Sequence, residues 1–373
     1  MYLRRVRLGE VTDNYDSLRR PVKGTERVAG EFPYYGASGI VDYVDNFIFN
    51  GDYLLIAEDG ENLRSRSTPI AFMATGKFWV NNHAHVVKGN HLSDTRFLSY
   101  ILAITDVSGY LTGSTQPKLT RAAMDSIQLM IPELHEQKAI VEVLGALDDK
   151  IAANTKLAST ADQWVRAEYD LINRQSSEER IIGDLVSHRR QAIDPVSLET
   201  PTPYVGLEHI PRRLMWLDNH GSSEEVTSNK SYFHTGDILF GKLRPYFHKV
   251  VTAPTSGICS TDILVLASKE EIFSGYVLAS LTHDDVIQAV TALSAGTRMP
   301  RTNWKDLSQV TIPWPGDLVA TAFSESIQDI RGYVVGLMAE NQTLAATRDA
   351  LLPQLMSGKL RVKEAEKVLE SAL

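Results

Sequence analysis

Between Glu133 and Asn173, apolar or small residues return in alternating steps of four and three: Ile140, Leu144, Leu147, Ile151, Ala158, Ala161 and Val165, with Asn154 in the one polar slot. Such steps place side chains along a single stripe of an α-helix, the seam of a coiled coil. Val143, Leu157, Trp164 and Leu171 form a flanking stripe. A second series, Phe323, Ile327, Ile330, Val334, Leu337, Asn341, Leu344 and Leu351, keeps the same rhythm after Asp317, a plausible N-cap following Pro315-Gly316. At 1.5 Å per residue the first helix would reach about 60 Å. The two seams are predicted to pair antiparallel, with Asn154 and Asn341 setting helix register at some cost in stability. Pro353 is expected to kink or end the second helix, and Gly358 to stop it.

Outside these helices the pattern is one of short β-branched and aromatic runs between turn residues, which predicts mixed α/β halves. Val41–Val44 and Phe47–Phe49, around Asp45-Asn46, read as a hairpin. Asp237–Phe240 and Ile263–Leu266 read as strands, and Phe97–Thr105 and Phe273–Leu281 as short helices. The halves are related. Ile151–Ala158 (IAANTKLA) returns as Met338–Ala345 (MAENQTLA), Leu8-Gly9-Glu10-Val11 as Ile182-Gly183-Asp184-Leu185, and Phe97–Ala103 as Phe273–Ala279. Gly113–Pro117 parallels Ala295–Pro300, and Ile131-Pro132 parallels Ile312-Pro313. The offsets drift between about 174 and 187, so a common frame carries different loops. A duplicated unit of this kind serves a ligand with two parts, such as duplex DNA.

Composition narrows the class further. The chain of 373 residues is long enough for two separate cores. It has no apolar run of membrane-spanning length, its charged N-terminus lacks the apolar core of a signal peptide, and its single cysteine, Cys259, suits a reducing compartment. Cytoplasmic residence is expected. The net charge of -8 opposes the usual footprint of a nucleic-acid binder, but residues 1–132 are balanced and the acidity lies in the remainder. Local basic clusters, or basic partners, would have to hold DNA.

Few catalytic patterns present themselves. His83 and His85 are better explained by a strand than by a metal, and Cys259 sits in an apolar run where a buried structural thiol is the common case. His135-Glu136 lacks the second histidine of a zinc protease signature, Gly358-Lys359 lacks the preceding glycine of a phosphate loop, and no dinucleotide fingerprint occurs. Asp148-Asp149-Lys150 reads as charge on a helix face. The chain is therefore expected to be no enzyme, to bind no metal and to carry no cofactor.

Three stretches resemble the DNA-specificity (S) subunits of type I restriction-modification systems: IPELHEQKAIVEVLGALDDKIAANTKL (131–157), LLPQLMSGKLRV (351–362), and GDILFGKLRPYFHKV with GICSTDILVL (236–250, 257–266). GEFPYYGASGIVDY (30–43) and TPYVGLEHI (202–210) support it more loosely. The resemblance implies two target recognition domains, residues 1–132 and 177–313, separated by two conserved antiparallel coiled-coil helices, 133–176 and 314–358, with a C-terminal tail 359–373 and pseudo-twofold internal symmetry. It implies a non-catalytic subunit of host defence that binds a bipartite, asymmetric double-stranded DNA target. The helices would act as spacer and docking platform for two methylation (M) subunits, and restriction (R) subunits would join them. S-adenosylmethionine, ATP and Mg would reside on those partners. IPWPGDLVATAF (312–323) departs from the Glu-Gln start of the first helix, so the two docking faces would be unequal. Alternatives are a coiled-coil adaptor whose globular halves bind protein, a specificity module of another DNA-modification complex, and, last, an autonomous enzyme.

The DNA-reading candidates are basic, amide and aromatic side chains on turn-rich loops, because Arg and Lys pair with guanine edges and Asn or Gln with adenine. In the first half they are Tyr34, Tyr35, Ser38, Arg64, Arg66, Gln116 and Lys118. In the second they are His209, Lys242, Arg244, Tyr246, Arg298 and Arg301. The matched loops Gly113–Lys118 and Gly296–Arg301 rank above the others.

Overall fold

The computed structural model describes residues 2–113, 115–174, 176–198, 200–294 and 299–372. The chain divides into two compact units, residues 1–149 with 343–373, and residues 150–342. Both boundaries fall within the two long helices, Leu134–Asn173 and Asp317–Met356, so each unit holds a globular part and two helical segments.

In the first unit, strand Arg4–Arg7 pairs antiparallel with Gln128–Ile131, just before the first long helix. A four-stranded antiparallel sheet runs in the order Thr12–Asn14, Ala84–Gly89, Tyr53–Ala57, Ala71–Ala74. A second sheet has the order Gly39–Val44, Ala29–Gly36, Lys77–Val80, Phe49–Asn50, with one parallel pairing, Tyr34 opposite Trp79. Aromatic rings join the sheets: Tyr53 of the first meets Phe49 and Phe78 of the second edge-on, at 5.3 and 5.9 Å. Helix Thr95–Ile104 starts at Asp94, whose side chain accepts from the Arg96 and Phe97 amides, and buries Phe97, Leu98, Ile101 and Leu102. The hairpin expected around Asp45-Asn46 does not form. Val44 pairs back with Phe32, and Phe49 pairs with Phe78. Val41–Val44 lies in a strand that forms its hairpin with the preceding strand, Ala29–Gly36, and of the second run only Phe49 is in a strand.

The second unit repeats this order. Its four-stranded sheet is Val186–Arg189, Ile263–Ser268, Ile238–Gly241, Val250–Thr252. Its second sheet is Gly221–Ser222, Pro203–Val205, Gly257–Cys259, Lys230–Phe233, with Ala192–Ile193 added at the edge. The parallel pairing recurs as Tyr204 opposite Ile258, and the closing pair as Glu178–Ile181 with Thr311–Trp314. Helix Ser274–Leu281 is buried nearly throughout and packs on the second long helix at Gly275, where a Cβ would lie 2.7 Å from the Ser324 Cα. Cys259 is buried in this unit and its thiol is pushed up to about 12 by that burial, the state of a structural thiol.

The long helices meet through the predicted seams. Within residues 150–342, Asn154 Nδ2 donates to Asn341 Oδ1 at 3.0 Å and to Glu340 Oε2 at 2.7 Å, and the Tyr169 and Phe323 rings lie 6.3 Å apart. The pairs 154/341 and 169/323 run in opposite senses, so the segments are antiparallel. Val165, Ile327 and Val334 fill this seam with little or no exposed surface. Within the first unit Arg348 Nη1 donates to Asp148 Oδ1 at 2.8 Å. Pro353 does not end the second helix, which runs on to Met356. It forgoes the one bond that an amide at 353 would donate to the Asp349 carbonyl, and the helix bears that loss within a turn of its end. Gly358, with φ +71°, takes the left-handed conformation that stops the helix. A further helix, Val362–Ala372, follows and buries Ala365. Among the described residues no helix is long and apolar enough to cross a membrane.

Candidate nucleic-acid interface

The loops ranked first in the sequence are tied to the same end of the four-stranded sheet in both units, by the same backbone bonds. In the first unit the Leu119 amide donates to the Glu58 carbonyl (2.8 Å), Gly60 to Pro117 (3.2 Å) and Glu58 to His83 (2.9 Å). In the second, Thr302 donates to Lys242 (3.0 Å), Arg244 to Pro300 (2.8 Å) and Lys242 to Asp262 (2.8 Å). Glu58, Gly60 and Lys118 thus occupy the places of Lys242, Arg244 and Arg301. The backbone scheme is kept while the side chains change in charge and size.

Beneath the first loop lies a polar network that pattern reading missed. His85 is buried, with Nδ1 at 2.6 Å from Asp16 Oδ2 and Nε2 at 2.8 Å from the Leu119 carbonyl. Both partners are acceptors, so both ring nitrogens carry hydrogen and the imidazole is a cation. Burial opposes that charge, but the bonds to Asp16 and Leu119 and the charges of Asp16 and Glu58 outweigh it, raising the His85 pKa. Burial also works against charge on Asp16 and Glu58. Hydrogen bonds from His85 and Arg19 prevail, and both carboxyls are held below their usual range. Arg19 joins Glu58 at 2.7 Å and Lys118 reaches it at 3.3 Å. His83 lies 2.8 Å from Asp59. The only sequence signal was that two histidines and an aspartate sit among strand residues.

The other first-unit candidates separate. Tyr34 is fully buried, its hydroxyl accepting from the Val22 amide at 2.9 Å, with the Arg27 guanidinium 4.3 Å from its ring. It is a core residue with no surface to offer a base, which corrects the expectation drawn from its loop-like surroundings. Tyr35 is half-buried between Phe72 and Phe78. Arg66 adopts a left-handed conformation (φ 49°) and donates to the carbonyls of Leu102, Ala103 and Thr105 at 2.6–3.0 Å. Its guanidinium is committed to the C-terminus of helix Thr95–Ile104, where unpaired carbonyls need donors. This too corrects the DNA-reading expectation. Ser38 is exposed in the turn before Gly39, Gln116 is exposed in the strapped loop, and Arg64 donates to the Gly113 carbonyl at 2.8 Å.

In the second unit, Lys242 donates to the Thr261 carbonyl at 2.5 Å, and Arg301 pairs with Asp262. Burial, together with the nearby Arg301 and Arg190, lowers the Lys242 pKa. Arg190, missed as a candidate, donates from Nε to His188 Nδ1 at 3.2 Å. Its one sequence signal was the pair Arg189-Arg190 after a strand. Arg244 is left-handed (φ 49°), lies 5.6 Å over the Phe247 ring, and has a buried Nε with no hydrogen-bond partner among the described residues. Arg213 and His248 beside it are also left-handed, strain of the kind that collects at binding sites. Tyr246 is exposed and edge-on to Phe247 at 4.9 Å. His209 is turned inward, its Nδ1 accepting from the Gly206 amide at 2.9 Å. Arg298 lies outside the described residues.

A frame built twice, with the same loops strapped to the same sheet end and different side chains on them, defines a protein of two related α/β units. Residues 4–161 match the family described as type I restriction modification DNA specificity domain. The chain is 43% identical over 141 residues to the putative type I restriction enzyme specificity subunit S.HindORF215P of Haemophilus influenzae, a stretch covering 38% of this chain and 36% of that protein. It thus spans about a third of that relative. It is 23% identical over 329 residues to the type I restriction enzyme EcoDI specificity subunit of Escherichia coli, covering 77% of this chain and 72% of that one. The crystal structure of the type I restriction-modification system S subunit from M. genitalium shares its fold, with a TM-score of 0.55 at 13% identity over 95% of this chain and 96% of that chain. Residues 4–161 thus match the type I restriction modification DNA specificity domain, and the chain as a whole is similar in sequence and fold to type I specificity subunits.

Proposed function

We propose that this chain chooses the DNA sequence for a type I restriction-modification complex, each globular part reading one half of a bipartite, asymmetric target. The observation that carries the reading is the doubled strap with altered side chains: Glu58, Gly60 and Lys118 in one unit against Lys242, Arg244 and Arg301 in the other. Two like frames bearing unlike donors and acceptors call for unlike half-sites. Ser38, Arg64, Gln116 and Lys118 serve the first, and Lys242, Arg244, Tyr246, Arg298 and Arg301 the second. Arg244 is the foremost base-reading candidate, because its orphan Nε and left-handed backbone are costs that a bound acceptor would offset.

The long helices serve as the spacer and as docking ground for methylation subunits. Leu157, Trp164 and Leu171 recur every seven residues on the first helix and stay 44–52% exposed, an apolar stripe suited to a partner. Methyl transfer with S-adenosylmethionine, ATP-driven translocation and cleavage belong to the M and R subunits, and this chain contributes recognition and geometry in the cytoplasm. The test is selection of bound sequences from random duplex DNA by the chain with and without its M subunit. A two-part, gapped, non-palindromic motif is expected. Binding without sequence preference in both states would overturn the reading.

A further inference from the structure

We infer that the sheet end in residues 150–342 is a phosphate clamp made by Arg190, Lys242 and Arg301, and that the equivalent sheet end in the first unit is not. This rests on the reading of the chain as a duplex-DNA binder, and it assigns to the two halves different physical means of holding DNA.

The equivalence comes from strand register. Val87 pairs with Asn14 on one side and Leu54 on the other, and Leu266 pairs in the same way with His188 and Ile238. Two residues beyond Asn14 stands Asp16, and two beyond His188 stands Arg190. Four beyond Leu54 stands Glu58, and four beyond Ile238 stands Lys242. An acid in one unit has been exchanged for a base in the other at two places on one frame.

The charges are answered differently. In the first unit Asp16 is met by His85 and Arg19, and Glu58 by Arg19 and Lys118. The group is closed upon itself. In the second unit the carboxylate that meets Arg190, Lys242 and Arg301 among the described residues is Asp262, which Arg301 takes. Arg189 beside them is paired with Asp237 at 3.1 Å. Arg190 has His188 as its acceptor, and His188 packs against the Trp304 ring at 5.8 Å with a pKa lowered by burial and by Arg190 and Lys242. It therefore accepts without adding charge. Among the described residues Lys242 has a backbone carbonyl as its acceptor and no carboxylate. Two cations there lack a carboxylate partner among the described residues, on a chain whose net charge is -8. A phosphodiester oxygen is the acceptor that would fit between them, as Arg and Lys favour phosphate oxygens over bases in most contacts.

The experiment measures affinity of the full-length chain, with its M subunit where binding needs it, for a duplex of unrelated sequence across a salt series. Each phosphate neutralised contributes roughly 0.9 to the slope of log affinity against log salt. Lys242→Met, which keeps the apolar stem, and Arg190→Gln, at an exposed position, are each expected to flatten the slope by about that amount. Lys242→Arg should preserve it, and so should Lys367→Ala on the C-terminal helix. Arg301 is left in place because its loss would strand Asp262. An unchanged slope in both Lys242→Met and Arg190→Gln, with unaltered thermal melts, overturns the clamp. So does failure of the chain to bind duplex DNA at all. Sequence preference in the selection experiment with an unaltered slope sinks the clamp alone, whereas a flattened slope without sequence preference leaves the clamp and sinks sequence reading.

Discussion

At the scale of single residues, His85 decides how the first loop is held. Its imidazolium bridges Asp16 and the Leu119 carbonyl, so one strap of the loop depends on a proton. Because the folded pKa of His85 is raised, its contribution to stability is complete below the unfolded value of about 6.5 and is lost as pH rises through the folded value. Asp16, with a lowered folded pKa, contributes above about 3.9 and loses that as pH falls. His85→Gln is expected to destabilise by about 3 kcal/mol near pH 6, since it strands a buried carboxylate. The deficit in melting temperature relative to the unaltered chain should shrink as pH rises to 9, and a deficit independent of pH would refute a charged His85. Arg66→Ala should cost about 1–2 kcal/mol by uncapping a helix, without changing which DNA sequence is selected. Neither role was legible in sequence. A loop arginine that caps a helix 36–39 positions away looks the same, in a string of letters, as one that faces solvent.

At the scale of elements, the long helices were the most legible part of the chain. Seam residues Leu144, Leu147, Val165, Ile327 and Val334 are buried as their spacing predicts, because a heptad repeat fixes one helical face before any partner is known. The two seam asparagines share a bond of 3.0 Å, Asn154 Nδ2 donating to Asn341 Oδ1. Asn154→Leu alone should lower stability by about 1–2 kcal/mol, leaving the Asn341 and Glu340 acceptors short of a donor. Adding Asn341→Leu should restore part of that while loosening alignment, and a double-mutant cycle on denaturant midpoints reads the coupling. Additivity of the two changes would mean that the amides do not act as a pair. Inserting four residues into the first helix, about one turn, should alter the gap between half-sites or stop assembly with the M subunit, as read by mapping methylated sites. The strands fared less well. Val41–Val44 and Phe47–Phe49 carry the right propensity, but the first pairs with the strand before it, and only Phe49 of the second is in a strand, opposite Phe78.

At the scale of the whole molecule, the duplication has a functional counterpart: a chain that reads two unlike half-sites should lose them separately. Arg244→Ala is expected to relax recognition of the second half-site by 1–3 kcal/mol of discrimination, the first half-site remaining required. Genome-wide mapping of methylated sequence reads both, and an unchanged motif would exclude Arg244 from base contact. The repeat, the helical seams and the resemblance to type I specificity subunits are legible in the order of residues, because periodicity and motif are properties of spacing along the chain. Which side chains reach the surface was settled by folding. It buried Tyr34, spent Arg66 on a helix end, and brought Arg190 to Lys242 and Arg301 from 52 and 111 residues away in the chain. Availability depends on which strands pair, and strand pairing is set by non-local packing that no local pattern records.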